Sequence, residues 1–167
     1  MHRALTSLCL ILLPWTGCAA PAPGPTTALP VVGATDAASQ RALLASEDPT
    51  LEANKTLVFD MWRTLVDARQ LDQAERFLAE DYIQHNPLAD TGRAALVAYF
   101  SSEPPRPIQD AIAWPVVAVL AEGDFVTIVF ARERTDSTGN AYTTTWFDLY
   151  RVVDGVIVEH WDPAQRP

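Results

Sequence analysis

Ionisable side chains lie inside strand-forming sequence in the stretch from residue 142 to residue 162. The stretch reads YTTTWFDLYRVVDGVIVEHWD and is rich in β-branched and aromatic residues. Asp148 is flanked by phenylalanine and leucine, and His160 is followed by tryptophan. A carboxylate in apolar surroundings is costly unless it is paired or neutral. An acid and an imidazole in such positions therefore indicate a site for general acid–base chemistry.

The dipeptide Asp154-Gly155 separates two strand-like runs and predicts a β-hairpin. Two registers are open. A two-residue loop at this dipeptide places Asp148 opposite Trp161. A three-residue loop that includes the preceding valine places Asp148 opposite His160, with Cβ atoms about 5 Å apart. We favour the second register, because it gathers the titratable groups on one face with Trp146, Asp148, Tyr150, Val158, His160 and Asp162. An edge hairpin with its polar side chains in solvent is the alternative.

The N-terminus has the pattern of a targeting segment, with Arg3 before the apolar run Leu5–Leu13 and small residues around Cys18. The run is too short to span a bilayer. The tetrapeptide that ends at Cys18, WTGC, resembles a bacterial lipobox. We therefore expect an exported, periplasmic lipoprotein that Cys18 anchors to the membrane, or else a secreted protein after ordinary cleavage. The predicted division is a signal at 1–18, a Pro/Ala-rich tether at 19–48 and a domain at 49–167.

Composition narrows the class of protein. The chain has 167 residues, 49% of them hydrophobic, and a formal net charge of −9, which fits one packed domain with an acidic surface. No basic stripe with interleaved aromatic residues is present, so nucleic acid is not an expected partner. Both cysteines, Cys9 and Cys18, lie in the targeting segment, so the predicted domain has no disulfide or thiol chemistry.

Helical patterns come first and strand patterns follow. Apolar spacing predicts helices over 51–69, 71–78 and 91–100, and strands over 111–120 and 125–134 before the hairpin. This order predicts an α+β fold in which a curved antiparallel sheet wraps on N-terminal helices. A strongly bent sheet leaves a cavity at its concave face, where ligands usually bind.

Two segments carry a family resemblance. YIQHNP at 82–87 and FDLYRVVDGVIVEHWDPAQ at 147–165 are similar to the SnoaL-like group, polyketide cyclase-type proteins of the nuclear transport factor 2-like superfamily. The resemblance covers roughly residues 50 to 165 and implies a cone-shaped α+β barrel. It also implies a cofactor-independent enzyme that closes a ring of a small apolar carbonyl compound by aldol chemistry, or a related lyase or isomerase.

The resemblance also implies roles for individual residues. Asp148 would be the general acid/base, and His160 would orient it or shuttle the proton. His85 or Asn86 would donate a hydrogen bond to the enolate oxygen. Flat surface for a ring would come from Trp62, Trp146 and Tyr150. Ketosteroid isomerase chemistry is disfavoured, because the base position before the proline is Asn86, which cannot act as a base.

Three further expectations concern metals, partners and the alternative function. His85, His160, Asp148 and Asp162 are a conceivable ligand set, but the spacing is unlike that of metal sites, so we expect no metal. The resemblance implies a reaction without a cofactor. Related folds often dimerise through the sheet, so we expect a homodimer. The alternative to catalysis is a non-catalytic exported domain that binds a small ligand or serves in assembly.

Overall fold

The computed structural model describes residues 33–165. The predicted signal at 1–18, the lipidation site Cys18 and the first part of the tether lie outside the described residues. Among residues 33–165, no helix is both long enough and apolar enough to cross a membrane.

Short helices precede and interrupt the strands. Asp48 caps the helix Pro49–Met61 (α2), because its Oδ1 accepts hydrogen bonds from the backbone N–H groups of Thr50 and Leu51 at 2.7 and 3.4 Å. The first residue of α2 is proline, which needs no donor there. The predicted helix over 71–78 is instead a 3₁₀ helix that ends before β1. The helices are α1 (Ala37–Ala42), α2 (Pro49–Met61), a π-helical turn (Trp62–Asp67), the 3₁₀ helix (Leu71–Arg76) and α3 (Arg93–Phe100).

The five strands form one sheet in the order β1-β5-β4-β3-β2. β1 pairs parallel with β5 and the other pairs are antiparallel, so the predicted antiparallel sheet is in fact mixed. No hairpin connects β1 to β5, so the connection does not force the two strands to run in opposite directions. The strands are β1 (Leu78–Gln84), β2 (Val116–Glu122), β3 (Phe125–Thr135), β4 (Ala141–Val153) and β5 (Val156–Trp161).

The β4–β5 hairpin follows neither predicted register. The loop is the two-residue Asp154-Gly155, with both φ angles positive (50° and 76°), as the tight hairpin turn requires. The pairing then shifts by one residue, because Val158 is the extra residue of a β-bulge. His160 consequently lies opposite Tyr150, and Val158 does not join the inner face as predicted. Ile157 is the fully buried residue there.

Residues 34–44 belong to the folded domain, so the predicted tether at 19–48 extends too far. Ala34 forms a β-bridge with Val116. Gln40 is fully buried, and its side chain donates to the carbonyl of Ile112 at 3.0 Å and accepts from the N–H of the same residue at 2.7 Å. Pro115 has no N–H, which helps explain why β2 begins at Val116 rather than at residue 111.

The hydrophobic core lies between α2 with its π-helical extension and the concave face of the sheet. Phe59, Leu65, Ile128, Phe130 and Ile157 are fully buried in it. Burying an apolar side chain of this size contributes about 1.5–3 kcal/mol. The core fills one end of the concave face, and the other end opens into a cavity.

Candidate active site

A cavity of about 350 Å³ opens on the concave face of the sheet. Its size is at the lower end of the range of small-molecule sites. The lining combines aromatic side chains with a few polar groups. It includes Met61, Trp62, Val66, Arg69, Leu78, Tyr82, Gln84, Asn86, Leu96, Tyr99, Phe100, Trp114, Arg132, Trp146, Asp148, Tyr150, His160 and Asp162.

Asp148 is the buried carboxylate of this cavity, with only 2% of its surface exposed. Its Oδ1 accepts a hydrogen bond from Trp146 Nε1 at 3.1 Å and lies 2.9 Å from His160 Nε2. Its Oδ2 is buried, and no hydrogen-bond donor among residues 33–165 contacts it. Burial raises the pKa of Asp148, and the hydrogen bond and charge of His160 and the Trp146 bond oppose this only in part. Oδ2 is therefore the free basic atom of the site.

The protonation of His160 is set by Gln84. The Oε1 atom of Gln84 lies 3.0 Å from His160 Nδ1 and also accepts the backbone N–H of Asn86 at 3.0 Å. The other end of the same amide donates to the hydroxyl of Tyr82 at 3.2 Å. Because Oε1 can only accept, Nδ1 carries a hydrogen, and Nε2 faces Asp148.

This arrangement leaves one proton to share between Asp148 and His160. Either Nε2 holds it and the pair is imidazolium with carboxylate, or Oδ1 holds it and both partners are neutral. In the first form Asp148 is an anion, and its free Oδ2 carries a lone pair that can accept a proton from a ligand. The stacked ring of Tyr150, with its centroid 4.6 Å from that of His160 and its plane 17° away, holds the imidazole in place.

Two phenol groups add hydrogen-bond donors to the cavity wall. Tyr82 and Tyr150 are almost fully buried, and burial raises the pKa of both hydroxyls, so both keep their protons. Each oxygen already accepts one hydrogen bond, from Gln84 at 3.2 Å and from Trp62 Nε1 at 2.9 Å respectively. Among the hydrogen bonds of residues 33–165, neither hydroxyl donates its own hydrogen. The two O–H groups are therefore candidate donors to a ligand oxygen.

The predicted ligand-binding residues all line the cavity. Trp62 and Trp146 supply aromatic surface, and each also donates to a site residue through its indole N–H. Asn86 does not point a free amide at a ligand, because its Nδ2 donates to Asp162 Oδ2 at 2.6 Å. Asn86 thus holds Asp162, whose negative charge further raises the pKa of Asp148.

His85 lies outside the cavity, contrary to the role expected for it. Its ring stacks on Trp161 with centroids 4.5 Å apart, and its Nε2 lies 3.1 Å from a carboxylate oxygen of Glu159. Side chains alternate along a strand, so the residue after Gln84 faces the opposite side of the sheet. A role for His85 as donor to an enolate oxygen is therefore incompatible with this geometry.

One cluster could hold a metal ion. Within the described part of the chain, Asp148, His160 and Asp162 bring one ligand atom each to within 4.8 Å of one another. His85, the fourth member of the set considered from sequence, is not part of it. Both ring nitrogens of His160 already have partners, and Asp162 accepts from Asn86 and from the backbone N–H of Ala164. A metal bound to His160 would have to displace either Gln84 or Asp148 from the imidazole.

Sequence reasoning missed Gln84 and Tyr82 as site residues. The signal was available in the alternation of residues 82–86, which puts Tyr82, Gln84 and Asn86 on one face of an extended segment. The alternation does not predict which strand lies beside these three residues. The parallel pairing of β1 with β5 brings Gln84 directly opposite His160.

The family model described as SnoaL-like domain matches residues 59–160, which is more than half of the chain. The match spans the helix that carries Trp62, the strand that carries Asp148 and the strand that carries His160. Comparison with curated proteins gave no match.

Several solved structures resemble the chain. A candidate polyketide cyclase from Acidithiobacillus ferrooxidans is 16% identical over 71% of this chain and 89% of its own, with a TM-score of 0.50. An NTF2-like protein of unknown function from Burkholderia pseudomallei is 17% identical over 68% and 91%, with a TM-score of 0.49. A candidate ketosteroid isomerase from Kribbella flavida is 23% identical over 70% and 82%, with a TM-score of 0.47. The first of these confirms the predicted α+β fold.

Proposed function

The chain belongs to the SnoaL-like family within the nuclear transport factor 2-like superfamily, and from that premise and the buried Asp148–His160 pair we propose a cofactor-independent acid–base enzyme. Its substrate is a small, largely apolar carbonyl compound. Its reaction begins with removal of a proton from the carbon next to the carbonyl. The observation that carries the proposal is the buried Oδ2 atom of Asp148, which has no protein donor among the described residues.

The first step is proton transfer to Asp148. The C–H bond of the substrate breaks, its proton goes to Oδ2, and its electron pair moves into the enolate. Burial supports this role, since a carboxylate with a raised pKa is a stronger base than one in water. His160 Nε2 and Trp146 Nε1 hold Oδ1, so the carboxylate presents Oδ2 in one orientation.

The negative charge that develops on the substrate oxygen requires hydrogen-bond donors. Tyr82 and Tyr150 supply two buried hydroxyl groups in the cavity wall whose hydrogens are not used within the described residues. Donors fixed in a water-poor site stabilise an oxyanion far more than donors in water do. We assign the oxyanion to these two phenols rather than to His85.

The second step determines the type of product. In an aldol closure the enolate carbon attacks a second carbonyl of the same molecule, and the new alkoxide takes the proton back from Oδ2. In an isomerisation Oδ2 returns the proton to another carbon. Both routes balance without an oxidant, a reductant or a second substrate, and both leave Asp148 ready for the next cycle.

The test uses proton exchange, which needs no knowledge of the natural substrate. The full chain in D₂O is incubated with small aromatic methyl ketones such as acetophenone, and loss of the methyl proton signal is followed by NMR. We expect exchange above the buffer rate, reduced about 10²-fold or more by Asp148→Asn. Asp81, an exposed aspartate of β1, provides the matched control Asp81→Asn, which should exchange like the wild type. Exchange retained by Asp148→Asn would remove Asp148 from the mechanism.

The pH dependence of exchange has a definite direction. The base must be ionised, so the rate falls as the pH drops through the pKa of Asp148. Because burial raises that pKa, the acid limb should lie above the range in which exposed aspartates titrate. A limb in the ordinary aspartate range would contradict the assignment.

The same pKa predicts a stability difference that requires no substrate. Folded protein keeps the Asp148 proton to higher pH than the unfolded chain, so the folded state binds more protons between the two pKa values. The free energy of unfolding therefore falls as the pH rises through this window. Asp148→Asn lacks this contribution, so urea unfolding at several pH values should show the wild type losing stability relative to the variant with rising pH.

A non-catalytic binding domain is the competing function. The cavity itself would serve a carrier equally well. Ligand binding without exchange at any pH, for ketones that calorimetry shows to be bound, would favour the carrier.

A further inference from the structure

The cavity has a second polar end, formed by Arg132. This residue lies on β3 and faces the concave side with Phe130 and Ile128, which pair with Trp146 and Asp148 on β4. Its guanidinium carbon lies 3.9 Å from the centre of the Trp114 ring and 5.2 Å from that of Trp146. Arg132 thus sits over two indole rings, in a position that both rings stabilise by cation–π contact.

Among the residues that the structure describes, no carboxylate forms an ion pair with Arg132. Within residues 33–165 its guanidinium forms no ion pair and no hydrogen bond with another side chain or carbonyl. The other cavity arginine, Arg69, is already engaged, because it donates to the carbonyl of Val66 and lies 3.6 Å from Glu103. Burial, with the nearby charge of Arg134, lowers the pKa of Arg132, and the negative charge of Asp148 across the cavity opposes this only in part.

Trp146 connects the two polar ends. Its indole N–H donates to Asp148, while its ring face contacts Arg132. The guanidinium and the carboxylate are therefore about one indole ring apart, with aromatic surface between them. A ligand that used both ends would be a flat molecule with an anionic group at one end and its reacting carbonyl at the other.

We propose that Arg132 binds a carboxylate of the substrate, so that the enzyme acts on an aromatic or cyclic keto acid rather than on an uncharged carbonyl compound. The planar fork of a guanidinium matches a carboxylate with two parallel hydrogen bonds. The indole rings of Trp114 and Trp146 contact the guanidinium but accept no hydrogen bond from it, so its N–H groups remain for a ligand. The idea deepens the function proposed above, since it assumes that this cavity is the substrate site.

Binding of a matched pair of ligands tests the idea. Isothermal titration calorimetry of the full chain would compare 4-acetylbenzoate with 4-acetylbenzamide, which has the same shape without the charge. We expect the acid to bind about tenfold more tightly or better at low salt, since hydrogen bonds to charged groups are the strong ones. The preference should shrink at high salt, because screening weakens a partly exposed ion pair.

Variants of Arg132 and Arg134 test whether the preference for the acid comes from Arg132. Arg132→Gln should abolish the preference for the acid and leave the amide binding nearly unchanged, and Arg132→Lys should retain part of it. The matched control is Arg134→Gln, which removes the same charge two residues along the same strand at an exposed position. The control should keep most of the preference, because Arg134 adds only a neighbouring charge, whereas Arg132 lines the cavity. Equal binding of acid and amide by the wild type, or equal loss in Arg132→Gln and Arg134→Gln, would overturn the proposal. So would failure of the acid to bind at the limit of its solubility.

Failure of this proposal and failure of the proposed function can be told apart. Asp148→Asn should lose proton exchange but keep the preference for the acid, because Arg132 is untouched. Acid preference without exchange would sustain the role of Arg132 and refute catalysis. Proton exchange without a preference for the acid would sustain catalysis by Asp148 and refute the role of Arg132.

Discussion

Replacing Gln84 by leucine tests the arrangement on which the acid–base pair depends. The side-chain amide of Gln84 makes three hydrogen bonds, to His160 at 3.0 Å, Asn86 at 3.0 Å and Tyr82 at 3.2 Å. Leucine has a similar size and can make none of them. Each such bond contributes a net 0.5–1.5 kcal/mol, so we expect the free energy of unfolding to fall by about 2–4 kcal/mol.

The more specific consequence concerns the imidazole. Without Gln84 Oε1, the Nδ1–H of His160 loses its acceptor in a mostly buried position. The proton then favours Nε2, which can donate to the carboxylate of Asp148. We expect ¹⁵N NMR of the imidazole to show Nδ1 protonated in the wild type and unprotonated in the variant. A merely structural role for Gln84 would lower stability and leave the tautomer unchanged.

The control for this test is Gln109→Leu. Gln109 is exposed, and its side chain makes one hydrogen bond, to the carbonyl of Pro107. Its replacement should change neither the unfolding midpoint in urea nor the imidazole spectrum. The reasoning is refuted if Nδ1 is unprotonated in the wild type, or if it stays protonated when Gln84 is replaced.

Two further predictions concern the rest of the fold. Gln40→Leu removes the buried partner of the N–H and C=O groups of Ile112. The free energy of unfolding, measured by urea titration, should therefore fall by about 2–5 kcal/mol. A loss below about 1 kcal/mol would mean that residues 34–44 are not held by this amide. We also expect a homodimer through the outer face of the sheet, where Leu120, Phe125 and Phe147 are exposed. Sedimentation at micromolar concentration measures this, with Phe147→Glu expected to shift the mass towards the monomer, and a monomeric wild type contradicting it.

The likeness of residues 82–87 and 147–165 to a known family was enough to predict the fold class. The predicted fold class was confirmed, because the family model matches the helix and the strands that form the fold. The contact between Asp148 and His160 was also predicted, although the register that led to it was wrong. The Val158 bulge moves His160 opposite Tyr150, yet His160 stays on the inner face and reaches Asp148 diagonally. Residue type and alternation along the strand decide which face of the sheet a side chain lies on. The inner face was therefore predicted correctly for His160 although its cross-strand partner was not.

Tertiary structure alone decided which groups complete the site. His85 and Gln84 are neighbours in the chain, and only the pairing of β1 with β5 shows that Gln84, not His85, meets His160. Arg132 looks in sequence like any charged residue near a strand end, and its place over two indole rings depends on β2, β3 and β4 coming together. The sequence by itself determined the acid, the imidazole and the fold that holds them, because these follow from local pattern and family likeness. The partners that set their protons and face the ligand are fixed by contacts between distant segments, which no local pattern encodes.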